Sequence, residues 1–169
     1  MAQTKPFAWY GEQAQAFAGM KANITVDTVD SFAAEGGINP GDLAVRGTDP
    51  AKQAKKASAA ADKPLGVVLH IHKEPSDPYF ADGASLSVMS AGDVFVVAGA
   101  DVAAGDPVAY SADNGWIKGA EASANVYMAA ASAGDVVRIR IKDPAAIAIT
   151  ESTAKSQADT ATVGDATAL

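Results

Sequence analysis

The chain has 169 residues, 49% of them hydrophobic with alanine in excess, only 7% aromatic, no cysteine, and a formal net charge of −7. That length suits one domain with room for an appendage and a modest core. The charge argues against general binding to nucleic acid, which needs a basic face, the missing thiols exclude disulfides and thiolate metal sites, and no apolar run reaches the length of a membrane span.

The first zone, residues 1–23, gathers Phe7, Trp9, Tyr10 and Phe17 among small and polar residues without a strand period. A short helix fits 12–17. The opening "MAQTKPFAWYGEQ" has neither a basic start with an apolar run nor a cleavage-type site, so no secretory signal is expected. Four rings in so short an arm need a surface to cover them, either their own domain or a neighbour.

The middle zone, 24–142, reads as β. "ITVDTV" at 24–29 alternates, with Ile24, Val26 and Thr28 on one face. "EGGINPGD" is glycine-rich but leads into the short run "LAVR", which makes it a turn and not a phosphate cradle. "PAKQAKKASAAADKP" carries Lys52, Lys55, Lys56 and Lys63; with no interleaved aromatic for base stacking, it reads as a solvated loop or short helix. "LGVVLHIHK" places Val67, Leu69 and Ile71 on one face and Val68, His70 and His72 on the other. "SLSVM", "VFVVA", "PVAYS", "NVYMA" and "VVRIRI" follow, and Arg138 and Arg140 share one face of the last, opposite Val137, Ile139 and Ile141. Short β runs separated by Gly, Asp, Asn and Pro clusters at intervals of roughly ten residues predict a sandwich or small barrel.

A Gly-Asp pair precedes a β-type run four times, at Gly41-Asp42, Gly92-Asp93, Gly105-Asp106 and Gly134-Asp135. Glycine accepts the positive φ of tight turns, and aspartate bonds nearby backbone, so each pair is expected to be a strand entrance without acid–base chemistry. The third zone, 143–169, is Ala- and Thr-rich with no aromatic residue; it is expected to be a low-complexity tail, with "AAIAIT" as an extra strand.

The sharpest candidate for chemistry is "HIHKEPSDPYFADG". Histidines at i and i+2 of a strand point to one side and can share a metal, with Glu74, Asp77 and Asp82 as nearby oxygen donors. The stretch resembles the first motif of the cupin barrels, but Glu74 follows His72 too soon and the chain has only two histidines. A small metal- or ligand-binding barrel centred on His70 and His72 is therefore the alternative, and two strand residues on an outward or subunit-facing side the preferred reading. A third class, a carbohydrate-binding module, would use exposed Trp9, Tyr79 or Trp116. No nucleophile elbow, cysteine nucleophile or dinucleotide fingerprint is present.

Several phrases, taken in order, carry a resemblance: "GMKANITVDTVDSFAAEGGINPGDLAVRGTDPAKQAKK", "PLGVVLHIHKE", "MSAGDVFVVAGADVAAGDPVAY", "NGWI" and "GDVVRIRI". From about 20 to 141 the chain resembles the tailed-phage structural cement and capsid decoration proteins. The resemblance implies an all-β domain, made late in the host cytoplasm, that binds the outer surface of the virion and clamps neighbouring major capsid proteins together. Proteins of this kind often form homotrimers, and dimers occur. It implies no catalysis, cofactor, metal, nucleic acid or membrane. Under this reading the arm rings Phe7, Trp9, Tyr10 and Phe17, with Arg138 and Arg140 as partners for a neighbour's acids, are the expected capsid or subunit contacts. The organisation expected is an arm at 1–23, a β domain at 24–142 and an extension at 143–169.

Overall fold

The computed structural model describes residues 16–24, 26–72 and 77–151, and they form an all-β fold. Ten strands follow in chain order: β1 (Thr28–Ala34), β2 (Leu43–Arg46), β3 (Gln53–Lys56), β4 (Pro64–Val68), β5 (Ser85–Val97), β6 (Val108–Ser111), β7 (Gly115–Lys118), β8 (Val126–Tyr127), β9 (Val136–Ile141) and β10 (Ala148–Thr150). A 3-10 turn, Pro144–Ala146, capped by the Asp143 side chain, separates the last two.

Strand β1 pairs with β5 antiparallel and with β3 in parallel, which closes the five strands β1-β3-β2-β4-β5 into a barrel without a free edge. Its interior holds Ala34, Ile38, Ala44, Ala54, Leu65, Val68, Phe80, Leu86 and Val88. Small alanines on β2 and β3 leave room for the Phe80 ring, as a narrow barrel requires. A second, larger core lies against the outer side of the barrel. There Leu43, Val45, Val67 and Met89 meet the sheet β10-β6-β7 and strand β9, with Tyr110, Trp116, Tyr127 and Ile139 as the bulkiest buried members.

Strand β5 serves both cores. Leu86 and Val88 face into the barrel, whereas Met89, Val94 and Val96 face the second core. The pairing with β1 skips Ser90, from Val29↔Met89 to Thr28↔Ala91, and this bulge changes the face on which later side chains emerge. Beyond it, β5 exchanges β1 for β9, with Gly92 opposite Ile141 and Val97 opposite Val136.

Several local expectations are corrected here. "SLSVM" and "VFVVA" belong to one strand of 13 residues, so Gly92-Asp93 is no strand entrance. The lysine-rich stretch contains β3 because Ala54 fills a barrel position that only strand alternation reaches. Strand β1 starts at Thr28, leaving Ile24 and Val26 outside it, and β4 ends at Val68, leaving both histidines outside it. The strand expected in "AAIAIT" is β10, paired in parallel with β6.

Candidate interaction surfaces

The three remaining Gly-Asp pairs are copies of one device. In 39–42, 103–106 and 132–135 the glycine stands third with φ of 86°, 88° and 91°, the geometry of a type II turn. The aspartate N–H donates to the carbonyl of the first turn residue at 3.1, 3.1 and 3.0 Å. Its carboxylate accepts the first residue's N–H in return, at 3.0, 2.9 and 3.1 Å. Strands β2 and β9 start directly behind these turns, and β6 starts one residue further on, after Pro107.

The turn carboxylates also tie the layers together. Asp42 accepts from Tyr110 Oη at 3.3 Å and pairs with Lys56 at 3.1 Å, while Trp116 Nε1 donates to the Gly41 carbonyl at 2.6 Å. Burial, then the neighbouring Asp42 charge, pushes the Tyr110 hydroxyl far above its ordinary pKa, so it stays a donor. Asp106 pairs with Lys118 at 2.8 Å; that contact and the Ala103 N–H hold its carboxyl below the usual range. Three of the four lysines of the basic cluster are paired locally, Lys52 with Asp49, Lys55 with Asp62 and Lys56 with Asp42. Such a face offers little free charge to phosphates.

Gly92-Asp93 does something else. Asp93 is 3% exposed and sits at the point where β5 changes partners. Arg140 on β9 grips its carboxylate with two bonds, Nε to Oδ1 at 2.7 Å and a terminal nitrogen to Oδ2 at 2.9 Å, and Asn23 Nδ2 donates to Oδ2 at 2.7 Å. The Arg140 bond is the main reason the Asp93 carboxyl is held below its ordinary value against the opposing effect of burial, and Arg138 adds to it. Arg138 and Arg140 do share the half-buried face of β9, as the alternation required. An acid of the same chain already meets Arg140.

Asn23 belongs to a segment stitched into the barrel wall. Gly19 N–H donates to the Phe95 carbonyl, Phe95 N–H to Met20, Ala22 N–H to Asp93, and His70 N–H to Gly19. Residues 19–22 thus link the second half of β5 to His70, just past the end of β4. Asp27 then stands close over Gly92, and β1 begins at Thr28 opposite Ala91. A Cβ on Gly92 would stand 2.9 Å from the Asp27 Cβ and 2.9 Å from the Met89 sulfur, so the crossing needs glycine there. Asp27 is held at the far end of the crossing by an ion pair to Lys21. Between these anchors Ile24 and Val26 stand at 102% and 96% exposure. Beside Val26 is an open groove of about 440 Å³ lined by Val26, Ala91, Gly92, Asp93, Arg140, Ile141 and Lys142.

Phe7, Trp9 and Tyr10 lie outside the described residues, as does nearly all of the helix expected at 12–17. Phe17 is about half exposed, its ring edge against His70 at 4.5 Å between centroids. His70 also stacks near Tyr79 at 5.6 Å and His72 is exposed, so the two do not form the strand-borne pair. Among the described residues no three His, Cys, Asp or Glu side chains are grouped to hold a metal ion. Tyr79 and Trp116, expected to be exposed in a sugar platform, are 6% and 2% exposed. Their hydroxyl and indole N–H serve the fold by bonding the Ile71 and Gly41 carbonyls. Sequence reasoning missed Asp93, Asn23 and Asn125. The last is fully buried; its Oδ1 accepts from the N–H groups of Lys142 and Asp143 at 2.8 and 3.0 Å, and it holds the end of β9 against the β6 side.

With this geometry in hand, the comparisons with known proteins agree. The family model described as "Structural cement protein (E217 gp24/Pam3 gp6)" matches residues 7–142. No curated protein matches. Among solved structures, a chain of the capsid of Myoviridae phage XM1 superposes with a TM-score of 0.60 at 16% identity, covering 81% of this chain and 99% of that one. The head fibre gp8.5 N base of bacteriophage phi29 superposes with a TM-score of 0.50 at 15% identity, covering 69% and 95%. At such identities these two likenesses speak to the fold.

Proposed function

The chain belongs to the phage structural cement protein family, a structural, head-stabilising component of the virion, and from that premise we propose that it sits on the outer surface of the capsid. There it bridges neighbouring major capsid proteins as a homotrimer. The observation that carries this reading is the family match across 7–142, which spans the barrel, the bonded segment 19–22 and all of the second core but its β10 end. A closed barrel with a pinned crossing supplies a stiff body. Several weak contacts from such a body to different shell subunits add up to firm attachment through effective concentration. Nothing in the role requires catalysis or a cofactor.

The division of labour we propose assigns residues 24–142, together with 19–22 and strand β10, to this body and the ring-bearing arm, Phe7, Trp9 and Tyr10 above all, to partner contact. Phe17 marks where the arm enters the barrel wall. Arg138 offers a charge to a neighbour's acid, and the extension from 143 contributes less to partner contact, because Ile147 is buried in the second core and Ile149 packs against it, which leaves Val163 and Leu169 as its other larger apolar groups.

The test is to add purified protein to expanded heads lacking it and to follow co-sedimentation and head resistance to heat. Saturable binding, a raised disruption temperature and density for triplets of the barrel on the outer surface are expected. The same assay with residues 1–15 removed should show weaker attachment. Absence of any binding by the complete chain overturns the reading, and density for isolated single copies overturns the trimer.

A further inference from the structure

Resting on that reading, we propose that the crossing loop is a gripping point for the shell: Ile24 and Val26 enter an apolar pocket of the major capsid protein, with Lys142 at the groove beside Val26 meeting an acid on the pocket's rim. Three observations lead there. The two side chains are the most exposed large apolar residues among those described, at 102% and 96%, whereas Phe17, Val29, Ile71, Val97 and Val136 lie between 38% and 47%. Water-facing pairs of β-branched aliphatics on one short loop are a liability unless something covers them.

Their exposure is also built into the fold. Asn23 is bound to Asp93 and Asp27 to Lys21, so both ends of the loop are tethered, and Gly92 beneath lets the chain cross without offering a side chain to cover it. Finally, Lys142 is exposed, lines the same groove and makes no ion pair among the described residues, unlike Arg140 beside it.

The occupant follows from size. A stable interface between free proteins buries about 1,200–2,000 Å² in total. Two aliphatic side chains supply a small fraction of that, so the loop cannot hold two free copies together. A shell that presents one receiving face many times, to a body attached at several points, makes so small a contact effective.

The experiment compares the unaltered protein with the double variant Ile24→Ser/Val26→Ser on heads lacking the protein. The variant is expected to bind about ten-fold more weakly or worse, with unchanged thermal midpoint and unchanged mass in solution. A second variant, Val26→Cys, places one thiol in a chain that has none; it should react with a maleimide when free and be protected on heads. Equal binding by the double variant, or a thiol equally reactive on heads, overturns the loop's role while leaving the cement reading intact. A drop in solution mass for the double variant assigns the loop to copy–copy contact and also overturns the proposal. Should the double variant unfold, protection of the thiol alone decides. If the unaltered protein does not bind, the functional reading itself fails.

Discussion

Gly105-Asp106 and Gly92-Asp93 are spelled alike and used in opposite ways. At 105 the glycine takes φ of 88° in a surface turn with no atom within 4 Å of where a Cβ would stand, and the aspartate caps its own turn. At 92 the glycine lies inside the longest strand, under a crossing segment, and the aspartate is a buried anchor for two distant parts of the chain. The difference lies in what passes nearby. A dipeptide encodes its local turn tendency, but a long-range chain crossing can impose a different use on the same two residues.

The comparison breaks most visibly at Asp93. Asp93→Ala removes the bidentate bond from Arg140 and the bond from Asn23, and should cost about 2–4 kcal/mol in denaturant titration. Hydrogen exchange should show protection lost at 19–22 while the barrel interior, with Ile38, Phe80 and Leu86, keeps its own. A loss smaller than that of the turn variants would mean that the crossing is held by its backbone bonds alone.

The two glycines sharpen the same contrast. Gly92→Ala meets both an unfavourable φ of 135° and the Asp27 Cβ, and should cost about 2–3 kcal/mol. Gly105→Ala meets the unfavourable φ only, and should cost about 1–2 kcal/mol. Equal losses would show that steric crowding at the crossing relaxes freely, through the flexible Met89 side chain.

Much of this was legible from residue order. The alternation in "VVRIRI" and the turn chemistry at 41, 105 and 134 led correctly to strands and their entrances, and the family phrases led to an all-β domain. What stayed hidden was non-local. "MSAGD" has the composition of a turn, yet the bulge at Ser90 keeps it a strand, because β1 and β9 are available as successive partners. Ile24 and Val26 alternate as a strand face should, but among the described residues no element lies opposite to receive them. Phe17 to Asn23 has no period because its pairing is made by backbone bonds to β5 and His70. His70 and His72 alternate in sequence, but their strand ends two residues earlier.

The smallest expected effect is at Asp106, and it separates a turn bond from a charge. Asp106→Asn keeps a carbonyl oxygen for the Ala103 N–H and loses the ion pair to Lys118, whose side chain is 58% exposed. Exposed pairs contribute little, so at neutral pH the variant should unfold close to the unaltered protein and well above Gly105→Ala. Acid then distinguishes the roles. Asp93 and Asp106 both have carboxyls held below the ordinary value of 3.8 in the folded chain. Below that value the unfolded chain binds more protons than the folded one, so the stability they contribute is present above about pH 4 and is lost as pH falls through their folded values. Asp106→Asn should flatten this acid loss only slightly, whereas Asp93→Ala, already destabilised at neutral pH, should flatten it more. Adding salt should reduce the Asp106 difference first, since its partner faces water. If Asp106→Asn instead matches Asp93→Ala in both tests, the surface carboxylate carries a charge-specific role, and the two Gly-Asp pairs are less different than their surroundings indicate.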